Sequence, residues 1–250
     1  MRGRVYLVGA GPGAPDLLTL RAAEILARAD VVFHDALVHR ATLALAARAD
    51  KVRVGKRSGR RSTAQKFINK RLVDAARKHA VVVRLKGGDP LLFGRAQEEI
   101  DALRRAGVDF EIVPGVTAAT AAAAELGVSL TRRGLSRHVA FVTPRAAQGE
   151  RGNDWAAAVL AADTAVLYMG AGLAPEISAE LTRRGMRPDT PVALVESASL
   201  PERRVLVGTL AELPALAQRG GEGPAIVLFG EVLRASVALP AQIEAVLKRA

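Results

Sequence analysis

Three short glycine-bearing segments carry the residues best placed to do chemistry on a small molecule. They are Gly9-Ala10-Gly11-Pro12-Gly13, Leu85-Lys86-Gly87-Gly88-Asp89-Pro90 and Val113-Pro114-Gly115-Val116-Thr117-Ala118, and each follows an apolar run. Glycine permits a tight turn and lets the backbone come close to a ligand. Pro90 biases Asp89 toward an extended conformation, where its carboxylate could accept a hydrogen bond from a ligand hydroxyl or ammonium. Each segment alone reads as an ordinary turn. In an open parallel sheet, however, ligands bind outside the carboxyl ends of the strands, so three such ends predict a single binding edge. Asp35 ends the second apolar run, where a ribose-binding acid would stand in a dinucleotide fold. Against a nicotinamide or flavin, the first loop lacks the full G-x-G-x-x-G fingerprint, and Pro12 removes an N–H from any pyrophosphate cradle.

A second constellation is cationic. Between Asp50 and Asp74 there is no acidic residue, whereas Lys51, Arg53, Lys56, Arg57, Arg60, Arg61, Lys66, Lys70 and Arg71 all fall there. Arginine's planar fork suits carboxylates because it binds them bidentately. The ordinary reading of such a run is a solvated face. Gly55 and Gly59 put part of it on a loop, which favours an anchor for an acidic ligand, and Arg95, Arg132 and Arg133 would extend it.

These residues need a scaffold, and the first half of the chain supplies a βα alternation. Apolar runs at 4–9, 30–34, 80–85 and 110–114 read as strands. The spacing of Leu18, Ala22, Ile25 and Ala29, that of Phe67, Ile68, Leu72 and Ala76, and the segments 97–106 and 117–126 read as helices. This predicts a mainly parallel sheet with helices on both faces. The basic, glycine-interrupted segment 129–137 breaks the pattern, and the domain boundary is placed there, giving domains 1–130 and 131–250. The second half reads as strands at 138–142, 164–169, 191–196, 203–207 and 225–229 with helices between most of them. The link between the strands at Pro191 and Arg203 is too short for a helical crossover, so those two pair antiparallel and the sheet is mixed.

Composition narrows the function classes. The 250 residues carry 36 basic and 25 acidic side chains, a net charge of +11 that attracts anions. There is no cysteine, which excludes disulfides and thiolate chemistry, and the four histidines (His34, His39, His79, His138) lack metal-ligand spacing, so no metal is expected. No apolar run reaches the roughly 18 residues of a membrane span, and the N-terminus lacks the pattern of a signal peptide. A cytoplasmic protein with no membrane partner is the expectation. Only Phe67 interleaves the basic run, which argues against a stacking platform for nucleic acid.

Four segments follow one another along the chain: Val5-Tyr6-Leu7-Val8-Gly9-Ala10-Gly11-Pro12-Gly13, Val54-Gly55-Lys56-Arg57, Arg84-Leu85-Lys86-Gly87-Gly88-Asp89-Pro90 with Phe93-Gly94-Arg95, and Val113-Pro114-Gly115-Val116-Thr117. In order and spacing they resemble those of the uroporphyrinogen-III C-methyltransferases of the tetrapyrrole methylase family. Tyr168-Met169-Gly170, the run from Pro191 to Glu196 and Val207-Gly208-Thr209-Leu210 continue the likeness over nearly the whole chain. The resemblance implies two α/β domains with a cofactor cleft between them, and a homodimer. It also implies transfer of two methyl groups from S-adenosylmethionine to uroporphyrinogen III, giving precorrin-2 for cobalamin and sirohaem. By position it implies cofactor contacts from Pro12, Gly87, Gly88, Asp89, Leu92, Thr117, Ala118, Met169, Ala198 and Ala225. Asp35 would accept a proton and Lys56 donate one, and Arg57, Arg95 and Arg132 would hold substrate carboxylates. The dehydrogenase–chelatase module of fused sirohaem synthases is not expected in this chain. Ala36, Ser197, Ser199 and Thr143-Pro144-Arg145 depart from the commonest family pattern, in the manner of subgroups that serve cobalamin pathways.

The implied chemistry is consistent with the residues. Methylating a pyrrole carbon leaves an iminium-like ring, and losing a proton from an adjacent bridge restores conjugation. A carboxylate base assists such a step by about 10²–10⁴-fold. Asp35 fits that role and also fits a helix N-cap before Leu37. Lys56 fits a proton donor or a simple carboxylate anchor. Another tetrapyrrole methylase, an RNA ribose methyltransferase of the same superfamily and a non-catalytic anion-binding module are the competing readings.

Overall fold

The computed structural model describes residues 3–54, 65–146 and 152–238. The chain forms two compact units, Met1–Ala118 and Ala119–Ala250. The division thus falls near the start of the alanine-rich helix rather than after it, at 130/131. No helix among the described residues is long and apolar enough to cross a membrane.

The first unit contains strands β1 (Arg4–Gly9), β2 (Val31–His34), β3 (Asp50–Arg53), β4 (Val81–Lys86) and β5 (Phe110–Val113), with helices α1 (Leu20–Arg28), α2 (Arg40–Ala44), α3 (Gln65–Ala76) and α4 (Ala96–Arg105). The sheet order is β3-β2-β4-β1-β5, and every pairing is parallel. Alternate residues of a strand face opposite sides. Val5 and Leu7 of β1 pack with Ile68 and Leu72 of α3 and Ile100 and Leu103 of α4, whereas Tyr6 and Val8 pack with Ala22, Ile25 and Leu26 of α1. Burial on both faces is why β1 and β4 read as nearly continuous apolar runs. The delayed start of α1 has a local cause: a single 3₁₀ turn at Pro15–Leu17 precedes it, and Thr19 caps it by accepting from the Ala22 N–H at 3.2 Å.

Two elements of this unit had no sequence signal. β3 reads Asp-Lys-Val-Arg and lies at the sheet edge, largely exposed, so it needs neither an apolar run nor strict alternation. Charged residues on an edge strand also discourage pairing with another chain. α2 is only five residues long and too short to display helical periodicity.

The second unit contains α5 (Ala118–Leu126), β6 (Val139–Val142), α6 (Trp155–Ala161), β7 (Thr164–Tyr168), α7 (Ala174–Arg183), β8 (Pro191–Glu196), β9 (Arg204–Thr209), α8 (Leu213–Arg219), β10 (Ala225–Gly230) and α9 (Arg234–Ala238). Its sheet order is β6-β7-β10-β8-β9, with β6 and β7 parallel and the remaining pairs antiparallel. The expected mixed sheet and the antiparallel β8–β9 pair are both present. Its core centres on Leu167, Ile177, Leu181, Leu194, Val227 and Phe229.

A glycine-lined candidate active site

The carboxyl ends of β4, β1 and β5 lie side by side, and their glycine loops interlock. The Ala10 N–H donates to Lys86 O at 2.7 Å, and Gly11 and Gly88 exchange hydrogen bonds, Gly11 N to Gly88 O at 3.2 Å and Gly88 N to Gly11 O at 2.7 Å. Both glycines hold a left-handed backbone, with φ of +69° and +65°, which a side chain would strain. The third loop closes on the other two. A Cβ on Gly9 would lie 2.7 Å from Gly115 Cα and from Gly88 O, and a Cβ on Gly115 would overlap Gly88 O outright. Asp89 completes the junction: its Oδ1 accepts from the Leu91 N–H at 2.8 Å and its Oδ2 from the Gly115 N–H at 3.0 Å. A carboxylate has about four lone-pair positions, so Asp89 binds the loops together and keeps acceptor capacity. A Cβ on Gly88 would reach Thr117 Cα at 3.9 Å and the Ala118 N at 4.0 Å. Pro12, Gly87, Gly88, Asp89, Leu92, Thr117 and Ala118 all belong to these loops or follow directly from them, and all are at least partly accessible.

Gly115→Ala tests the junction. The added methyl meets backbone that cannot rotate away, an overpacking worth about 1–3 kcal/mol or more. Urea unfolding should show this loss as a lower midpoint. An unchanged midpoint would mean that the loops move apart at no cost.

Asp35 follows β2 on the same edge. It is not a helix N-cap: α2 begins at Arg40, and its cap is His39, whose Nδ1 accepts from the Ala41 N–H at 3.3 Å. The Asp35 carboxylate instead pairs with Arg84, Nη2 to Oδ1 at 2.6 Å. Arg84 lies on β4, and its Nε donates to Glu99 Oε1 of α4 at 2.9 Å, while Lys86 donates to Glu99 Oε2 at 3.2 Å. Arg84 and Lys86 are each 3% exposed, Glu99 is 0% exposed and Asp35 is 26% exposed. Burial works to lower the Arg84 pKa, but Asp35 and Glu99 outweigh it and hold the group above its ordinary range. Burial, reinforced by repulsion from Arg84, pushes the Lys86 ammonium below the usual lysine range despite the opposing pull of Glu99.

The sequence held one overlooked sign of this network, since a charged residue inside an apolar run such as Val-Val-Val-Arg-Leu needs a partner when it is buried. Arg95 occupies a left-handed position at the start of α4 (φ +55°) and binds Glu98 bidentately at 2.7 and 2.9 Å. Lys56 and Arg57 lie outside the described residues. Arg132 is exposed in a turn closed by its own hydrogen bonds with Ser136.

In the second unit the structure brings Met169, Ala198 and Ala225 to one end of the mixed sheet. Met169 follows β7, Ala198 follows β8 and Ala225 opens β10, with Ile226 opposite Tyr168 and Ala225 opposite Glu196. Met169, Ser197 and Ser199 all have positive φ, at 58°, 50° and 72°. Non-glycine residues in this region cost energy, and such positions cluster where ligands bind. Glu196 is nearly buried and accepts the N–H groups of Gly221 at 2.7 Å and Gly223 at 2.5 Å. Glu196→Ala would leave both donors without that partner and is expected to lower unfolding stability by about 1–3 kcal/mol, measurable by urea titration.

Two α/β units, one built on a parallel five-stranded sheet with interlocked glycine loops and the other on a mixed sheet, define the class. The chain belongs to the tetrapyrrole (corrin/porphyrin) methylases, whose sequence profile matches residues 4–214. The particular likeness is to uroporphyrin-III C-methyl transferase from Thermus thermophilus complexed with S-adenyl homocysteine. That match has a TM-score of 0.81 and 43% identity, covering 93% of this chain and 100% of that one. The cobalamin biosynthetic enzyme cobalt precorrin-4 methyltransferase is similar at a TM-score of 0.80 and 30% identity, covering 92% of this chain and 95% of that one. The siroheme synthase of Zymomonas mobilis subsp. mobilis is 45% identical over 92% of this chain and 49% of its own length. The chain therefore spans about half the length of the curated relatives it matches.

Proposed function

We propose that the chain transfers methyl groups from S-adenosylmethionine to two ring carbons of uroporphyrinogen III, giving precorrin-2, and that it acts as a cytoplasmic homodimer. The observation that carries this reading is the place of Asp35 directly after β2, next to β4, whose end runs into Gly87 and Gly88, on the carboxyl edge of one parallel sheet. The Asp35 N–H donates to Leu85 O at 3.4 Å, and Leu37 Cβ lies 3.3 Å from where a Cβ on Gly87 would sit. The strand that leads into Asp35 and the strand that leads into the glycine pair are thus neighbours. That turn fits an adenosyl amino acid, because Gly88 carries no side chain into the space beside Thr117 and Ala118.

When bound, S-adenosylmethionine supplies a methyl group already activated on a sulfonium. The chain's contribution is then mainly positioning, worth up to about 7–11 kcal/mol for well-oriented reactants. On this reading Pro12, Gly87, Gly88, Asp89, Leu92, Thr117 and Ala118, together with Met169, Ala198 and Ala225, contact the donor. Arg57, Arg95 and Arg132 bind substrate carboxylates, and Lys56 either anchors another carboxylate or gives a proton to the ring. Asp35 takes the proton released from the bridge beside the methylated ring.

Anaerobic incubation with S-adenosylmethionine and uroporphyrinogen III should yield a tetrapyrrole heavier by two methyl groups. A chain that binds the donor yet leaves the macrocycle's mass unchanged, or that methylates RNA instead, refutes the assignment.

A further inference from the structure

The reading of Asp35 as a base leaves open how its carboxylate is held in place. Phe33 and Asp35, and likewise Val82, Arg84 and Lys86, alternate onto one face of the parallel sheet, and Arg84 stands opposite Phe33 in the register. That face is covered by α3 and α4, and α4 places Glu99 against the two cations of β4. The Arg84 guanidinium has every edge engaged. Nε reaches Glu99 at 2.9 Å, Nη2 reaches Asp35 at 2.6 Å, and Nη1 donates to Leu85 O at 3.2 Å and Phe33 O at 3.5 Å. Glu99 is held in turn by Lys86 and by Gln65, whose Nε2 donates to Oε1 at 3.1 Å. The four charges alternate in sign along the chain Asp35, Arg84, Glu99, Lys86 and sum to zero. Asp35 is the one member with substantial exposure. Its Oδ1 is occupied, and among the described residues its Oδ2 has no hydrogen-bond donor.

We propose that Arg84, locked by Glu99, is a positioning residue: it fixes the Asp35 carboxylate through Oδ1 so that Oδ2 is aimed at the proton to be removed. This rests on the reading of Asp35 as the base. An aspartate held only by its own rotamer preferences would sample several staggered wells. A charge-assisted bond from a guanidinium that is itself anchored at three further points restricts it to one. Losing a supporting partner of this kind typically costs about 10–100-fold.

The test is steady-state kinetics on the full chain, with donor affinity measured by calorimetry and folding by circular dichroism, for Arg84→Lys, Asp35→Asn and the double variant. Arg84→Lys keeps the buried charge and loses the fork. It should lower kcat by about 10–100-fold with KM and donor affinity within a few-fold of the parent. In the Asp35→Asn background the same change should have almost no further effect on kcat. A purely structural role would instead reduce kcat equally in both backgrounds, and that result overturns the proposal. So does an Arg84→Lys kcat equal to the parent's while Asp35→Asn is impaired, an outcome that leaves the base intact. If Asp35→Asn itself keeps full kcat, the base assignment falls and the positioning role falls with it. Should Arg84→Lys not accumulate as folded protein, Arg84→Gln, which keeps one N–H donor toward Asp35, provides the same comparison with the same expected non-additivity.

Discussion

Asp35→Asn should lower kcat by about 10²–10⁴-fold, the range expected when a positioned base is removed, while S-adenosylmethionine binds with nearly parental affinity. The substitution is close to isosteric. Its carbonyl oxygen can still accept from Arg84 Nη2, now 2.6 Å from Oδ1, so the local geometry has reason to persist, and only the capacity to take a proton is lost. The glycine junction lies on the neighbouring β4, β1 and β5 ends and is built from backbone and Asp89, which is why donor binding should survive. Single-turnover methyl transfer, measured beside calorimetric titration of the donor, separates the two effects. Parental turnover with parental affinity would remove Asp35 from the mechanism.

The second large effect concerns stability. Glu99→Ala is expected to cost about 3–5 kcal/mol, because removing one partner of a buried ion pair strands the remaining charge. Here Lys86 is left without an ionic partner and Arg84 keeps only Asp35, and each cation is only 3% exposed. The Arg187–Asp189 pair is a useful contrast. Its side chains are 69% and 56% exposed, and an exposed pair contributes about 0–1 kcal/mol. Urea unfolding of Glu99→Ala and Asp189→Ala should therefore differ severalfold in their loss of midpoint stability. Equal losses would mean that water reaches Glu99 and that the network is not dry.

Much of this architecture was legible before any coordinates. Apolar runs ending in glycine located β1, β4 and β5, and the short link before β9 required the antiparallel pair. The convergence of three loops followed from the parallel order, since parallel strands place all their carboxyl ends on one edge. Asp35 could be placed at the end of β2, but not its partner. A cap for a helix before Leu37 was a competing reading, because a capping residue and an ion-paired one look alike when only neighbours in sequence are known.

The sequence by itself determined which residues had to be buried, where the chain had to turn and which turns could bring bare backbone to a ligand, because these depend on local periodicity and on the conformational freedom of single residues. Only the tertiary structure decided that Asp35 meets Arg84 forty-nine residues away, that Glu99 of α4 locks the pair and that Gly9 must remain bare because Gly115 presses against it. Such pairings depend on strand order and on which helix covers which face. Spacing along the chain does not encode them, and a charged edge strand such as β3 leaves no apolar pattern from which the order could be read.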